Sequence, residues 1–205
     1  MSIARVAAVA SVALSPCFAT AQESACAVSG LSGEPVEIWS AGAWRAAVAG
    51  PLRPGDAKLR TGPEARAELS CAEGVTATVG PDTELNLETL SAPPAGAFDV
   101  VLQAVAGIVG LVAPGPRRGR AELRAPLAIA AARGTAWLVQ VGPEDASAVF
   151  VREGRVRVTP LAGGAPATLG PGEGVDVTAD GAGQVVAWGA PRVAAARAAL
   201  GFGWR

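Results

Sequence analysis

The sequence predicts an all-β fold: one domain of many short strands, ending in a short helical tail. Two observations carry that expectation. The 205 residues include 26 glycines and 16 prolines, which stand between short apolar runs rather than in one tract, as turn residues do. Several runs also alternate apolar and polar residues like half-buried strands, Ala65-Arg66-Ala67-Glu68-Leu69 most clearly. Hydrophobic residues reach 50%, but alanine inflates that figure and aromatics are only 4%.

Each element follows from its local chemistry. Val36–Trp39 and Trp44–Val48 are the first expected strands. Pro54-Gly55-Asp56 is a turn: proline presets φ, glycine accepts positive φ, and aspartate bonds its own backbone. Lys58–Arg60 follows as a strand, Thr61-Gly62-Pro63-Glu64 as a second turn, and then strands at Ala65–Cys71, Val75–Val79 and Thr83–Leu87. After a proline-rich turn at Ala92–Ala95 come Asp99–Ala106 and Ile108–Val112, parted by Gly107. The later strands are Ala121–Ala125, Ala128–Ala131, Thr135–Val141, Ala148–Arg152, Arg155–Pro160, Ala167–Leu169, Val175–Thr178 and Gln184–Trp188. Glu153-Gly154 reads as a two-residue hairpin turn, with glycine supplying the positive φ. The spacing is too irregular for a fixed-period repeat. Pro191 ends the β pattern, and Ala194–Leu200 has helix-forming composition.

The first residues read as an export leader. Met1–Arg5 is short and weakly basic, Val6–Leu14 is apolar but too short to span a bilayer, and Ala19-Thr20-Ala21 has the form of a cleavage site. Residues 1–21 are therefore expected to be a signal peptide, 22–190 the all-β domain and 191–205 a tail, with the mature chain in the periplasm or outside the cell. Leu14-Ser15-Pro16-Cys17 admits a second reading, acylation of Cys17 as a lipoprotein, against which the adjacent proline speaks. Removing the leader leaves Cys26 and Cys71. An oxidising compartment favours their pairing, worth on the order of 4 kcal/mol for a loop of this length; two buried free thiols are the other reading.

Composition excludes several kinds of function. The chain has no histidine, so Ser–His–Asp and Cys–His arrangements are impossible and the commonest metal ligand is missing. Tyrosine is absent as well. No cofactor is expected and no catalytic residue can be named. The carboxylate pairs Glu64/Glu68, Asp82/Glu84 and Glu144/Asp145 remain; in strands Asp82 and Glu84 would share a face, but both sit in a polar turn region. Charge is nearly balanced, 17 basic against 18 acidic residues, and loss of Arg5 with the leader makes the mature net charge −2. With one lysine and no net positive charge, nucleic acid is not an expected partner.

Two segments suit binding. Arg117, Arg118, Arg120 and Arg124 put four guanidinium groups within eight residues, offset by Glu122. Their planar forks match carboxylates and phosphates on a partner; the plainer reading is a solvated loop entering a strand. The tail places Val193, Ala196 and Leu200 at helical spacing and ends in Phe202 and Trp204. Those aromatics suit a cap on the open end of the β core, or a partner-docking element.

From Leu52 the chain reads L-R-P-G-D-A-K-L-R-T-G-P-E-A-R-A-E-L. This block resembles the opening of the FecR domain, an extracytoplasmic module named after the ferric citrate regulator. The likeness continues in order through Ala72-Glu73-Gly74-Val75, Val79–Leu85, Arg133–Val139, Val149–Val158 (V-F-V-R-E-G-R-V-R-V) and Leu169–Glu173. The resemblance implies that the strands wind into a twisted β-solenoid or a roll-like sheet. Family regulators join such an outer domain to a membrane helix and a cytoplasmic anti-sigma segment, and sense an outer-membrane transporter. Only about five residues precede the apolar run here, so the resemblance extends to the outer domain and not to the cytoplasmic segment. It implies a non-catalytic exported module that binds an envelope protein or glycan, linked to extracytoplasmic signalling. The alternative is a structural or surface β-scaffold with no signalling role.

Overall fold

A computed structural model describes residues 26–87, 100–115, 121–132 and 134–204. The expected leader with Cys17, the turn at 92–95, and Arg117, Arg118 and Arg120 lie outside them. The described chain is almost entirely β, as one unclosed sheet folded into two facing layers. The first layer holds β1 (Cys26–Ser32), β4 (Gly50–Pro51), β6 (Arg66–Cys71), β7 (Thr76–Val79), β12 (Thr135–Val141), β13 (Ser147–Glu153), β16 (Glu173–Thr178), β17 (Gly181–Ala182) and β18 (Val186–Ala187). The second holds β2 (Val36–Ser40), β3 (Ala43–Ala46), β5 (Asp56–Thr61), β8 (Glu84–Asn86), β10 (Ala121–Arg124), β11 (Ala128–Ala132), β14 (Val156–Pro160) and β15 (Ala167–Leu169). The chain crosses repeatedly from one layer to the other, often after a pair of strands. Of the two expected forms, this is the roll.

Strand β9 (Val100–Ala113) belongs to both layers. Its first half pairs with β8 and runs parallel to β10 in the second layer, and its second half lies between β7 and β12 in the first. The two runs expected on either side of Gly107 are thus one strand with a corner at that glycine. Gly107 has φ +82°, and a Cβ there would overlap the Thr83 hydroxyl and lie 2.6 Å from the Asp82 carbonyl oxygen. Buried threonines fix the corner. The Ile108 N–H donates to Thr83 Oγ1 at 2.9 Å, the Thr83 N–H donates to Thr61 Oγ1 at 3.0 Å, and the Thr61 hydroxyl donates to the Gly80 carbonyl at 2.6 Å.

Alternation along the strands builds the core between the layers. Leu69, Leu111, Trp137, Val149 and Val175 from the first layer meet Leu59, Leu85, Leu102, Leu123 and Val158 from the second, all fully or almost fully buried. Cys26 and Cys71 stand opposite each other across β1 and β6 and are disulfide-bonded, which anchors the first described residue to the core.

One expected element is corrected. Glu153-Gly154 is not a hairpin turn, because β13 pairs with β12 and β16 in the first layer while β14 pairs with β11 and β15 in the second. The glycine, at φ +83°, is a corner between layers; a Cβ would come within 2.8 Å of the Gly134 carbonyl oxygen. Local turn chemistry is the same for a hairpin and a corner, so only the distant partner strands separate them. Strands β1, β4 and β17 were not expected from the sequence. β1 carries Gly30 at a register shift, which breaks its alternation, and the other two are two residues long.

The C-terminal helix α1 (Ala190–Leu200) begins four residues earlier than its composition suggests. Pro191 lies in its first turn, where its missing N–H has no helical partner to lose and its φ is already helical. Gly201, at φ +62°, ends it and donates its N–H to the Arg197 carbonyl at 2.9 Å.

Gly107→Val should lower unfolding free energy by about 2–4 kcal/mol, from backbone strain and overlap at a buried corner. Denaturant unfolding of the two proteins side by side measures this, and an unchanged midpoint would show that the corner tolerates a side chain.

Candidate functional site

None of the carboxylate pairs forms a catalytic arrangement. Asp82 is exposed at φ 48° in the turn before β8, whereas Glu84 lies on β8 and pairs with Lys58 at 2.8 Å. Glu68 accepts from the Ser29 hydroxyl on β1, and Glu64 is exposed in the preceding turn. Glu144 and Asp145 are exposed in a short 3-10 turn. Among the described residues, no group of three or more histidine, cysteine, aspartate or glutamate side chains could hold a metal ion. No helix among them is long and apolar enough to cross a membrane.

The functional question therefore moves to the two outer faces of the roll. The first layer's outer face is apolar and is covered by the chain's own tail. Ile108, Leu138, Ala148 and Phe150 point outward there and meet Trp188, Ala196, Leu200 and Trp204 in a second, smaller core. Glycines make the fit possible. A Cβ on Gly110 would sit 2.5 Å from the Trp204 ring, and one on Gly174 would overlap Trp188. Phe150 stacks on Trp188 with ring centroids 4.8 Å apart.

Three arginines hold this cover through backbone carbonyls. Arg66, on β6, donates to the carbonyls of Ala199 at 2.6 Å and Ala198 at 3.2 Å, orphan acceptors at the negative end of α1. Arg197 donates to the Trp204 carbonyl at 2.9 Å. Arg152 lies over the Trp204 ring at 4.8 Å from its centroid and donates to the Gly203 carbonyl at 3.1 Å. A pocket of about 460 Å³ beside this clamp is lined by Ser32, Arg66, Arg197 and Phe202, so its cations already serve the tail. Of the two roles open to the tail, it fills that of a cap.

The second layer's outer face is open and polar. Register places its side chains in rows: Trp44 is opposite Trp39, Trp39 opposite Lys58, Lys58 opposite Asn86, Asn86 opposite Gln103, and Gln103 beside Arg124. Their inward neighbours Leu59, Leu85, Leu102 and Leu123 are core residues, which fixes this row outward. In the adjoining row Glu37 stands opposite Arg60, and Arg60 opposite Glu84. Ion pairs cross the face: Lys58–Glu84 at 2.8 Å, Arg60–Glu37 at 2.7 Å and Arg124–Glu122 at 2.7 Å. Trp39 and Trp44 meet edge to face with centroids 5.5 Å apart, and the Arg60 guanidinium lies 4.1 Å from the Trp44 centroid. Behind this corner, at the sheet edge, is a cavity of about 280 Å³ lined by Ile38, Arg45, Val48, Leu52 and Asp56 among others.

Of the four arginines singled out in the sequence, Arg124 stands exposed on this open face; the other three lie outside the described residues. The aromatic and amide residues of the row escaped sequence reasoning. Their period-2 placement is visible in Glu37/Trp39 and Lys58/Arg60, but the pairing of five distant strands that aligns them is not.

Residues 57–157 match the family model described as FecR protein. No curated protein matches the chain in sequence. Two crystal structures of a candidate anti-sigma factor from Parabacteroides distasonis ATCC 8503 share the fold. Each is 17% identical and covers 63% of this chain, with TM-scores of 0.51 and 0.50. The match spans 57% of that protein's own chain.

Trp204→Ala should cost about 3–5 kcal/mol, the usual penalty for emptying a fully buried indole site, and uncover the first layer's outer face. A lower melting temperature together with new binding of a hydrophobic dye is the expected result. An unchanged melting temperature would mean that the tail is not a structural cover.

Proposed function

We propose that this chain, whose residues 57–157 are a FecR domain, is a non-catalytic binding module of the bacterial envelope that acts in extracytoplasmic signalling. It is exported by its leader and docks a protein or glycan in the periplasm or outside the cell. The observation that carries the docking reading is the asymmetry of the two outer faces. The apolar face is occupied by the chain's own helix and tryptophans, while the opposite face displays an aromatic corner and a row of hydrogen-bonding side chains. The signalling part rests on the FecR match; the description of the fold neighbours as candidate anti-sigma factors points the same way. Arg124 is on the docking face, and Arg117, Arg118 and Arg120 precede it in the chain as a cationic approach to the same strand.

Immobilised mature chain should capture a component from a solubilised envelope fraction. Combined Trp39→Ala and Lys58→Ala should weaken capture at least about tenfold, with melting nearly unchanged because both side chains are partly exposed. Equal capture by the variant would remove the open face from the function and leave the scaffold reading.

A further inference from the structure

We propose that the open face of the second layer is a binding strip for a neutral, extended polysaccharide. Trp39 and Trp44 form its stacking end, and Lys58, Asn86, Gln103 and Arg124 its hydrogen-bonding row. This assignment presupposes docking on the open face and names the class of partner.

Shape is the first ground. The row from Trp44 to Arg124 takes five steps between neighbouring strands, each about 4.8 Å, and so runs about 24 Å across the sheet. A flat row of that length suits a chain of repeating units laid across the strands. It is too long and too shallow to enclose a small molecule.

Charge decides between kinds of chain. Lys58, Arg60 and Arg124 are matched by Glu84, Glu37 and Glu122, each pair within 2.8 Å, so the described face carries no net charge. A polyanion gains affinity by neutralising its charges on cations and releasing counterions. Here it would have to displace a carboxylate at every cation. A neutral polyhydroxyl chain breaks no ion pair. Its hydroxyls both donate and accept, and the face offers partners of every kind: the Asn86 and Gln103 amides, carboxylate oxygens and guanidinium N–H groups.

The aromatic corner supplies what hydrogen bonds alone cannot. Exchanging water for protein hydrogen bonds gives little net free energy, so a sugar needs apolar contact for its C–H face. Trp39 and Trp44 are half-exposed, and each braces the other edge to face, with Arg60 against Trp44. Rings held this way lose little freedom on binding. A protein partner would look instead for an apolar centre. Between Trp39 and Arg124 the row is polar throughout.

The test is calorimetric titration of the mature chain with cellohexaose and hexa-N-acetylchitohexaose as neutral probes and heparin as the polyanion. At least one neutral hexasaccharide should bind, more tightly than its disaccharide and with affinity little changed by added salt. Trp39→Ala and Gln103→Ala should each weaken it, the first about tenfold, without moving the melting temperature. Absence of binding by both neutral probes, or equal binding by both variants, overturns the proposal. So does binding of heparin alone with affinity lost in salt. If these variants lose capture of an envelope protein while neither sugar binds, the glycan assignment fails and docking on this face stands. Loss of neither shows that docking itself was misplaced.

Discussion

At Gly107 the longest strand leaves one layer and enters the other, and two buried threonines hold it there. Thr83 receives the Ile108 N–H and gives its own N–H to Thr61, whose hydroxyl bonds the Gly80 carbonyl. Each group has a partner, so burying this polar knot costs little, whereas losing one member would strand the others. The knot joins β5, the turn before β8, and β9, and so sets the register of both layers at one point. On one side of it Leu85 meets Ala104; on the other Val79 meets Val109. A slip of one residue here would turn the leucines of one layer outward.

That register has a functional consequence, because it decides which side chains face away from the core. In the first layer the outward set is apolar and glycine-rich, a surface onto which indole rings can lie flat. The tail closes it, with arginines on β6 and β13 taking the backbone carbonyls near the end of the helix and the turn beyond it. In the second layer the outward set is Trp39, Lys58, Asn86, Gln103 and Arg124, and nothing among the described residues lies over it as the helix lies over the first. The molecule has one face sealed from within and one offered to the outside. A single strand with its corner at a glycine makes both.

Much of this was legible in the sequence, where the signal is local. The strands at Thr135–Val141 and Ala167–Leu169 fall where alternation and turn residues place them. Gly107 stands out as a break between two apolar runs, and Pro191 as the end of the β pattern. The five segments that resemble the FecR domain overlap residues 57–157, where the family model matches. Less legible was everything decided by distant pairing. Glu153-Gly154 has the chemistry of a hairpin, yet its flanking strands take partners in different layers. The row on the open face draws one or two residues from each of several segments, and no window of sequence contains it. The helix starts at Ala190 because a proline in the first turn is compatible with helix, although the same residue ends a strand.

Native-state hydrogen exchange along β9 tests most directly whether one strand binds the two layers into a single cooperative unit. The amides of Leu102 and Ala104 in one layer, and of Val109 and Leu111 in the other, should exchange only through global unfolding, with the same free energy as the whole domain and the same denaturant dependence. Exchange of either half through a separate, lower-energy opening would show that the layers are independent and that the corner at Gly107 does not hold them together.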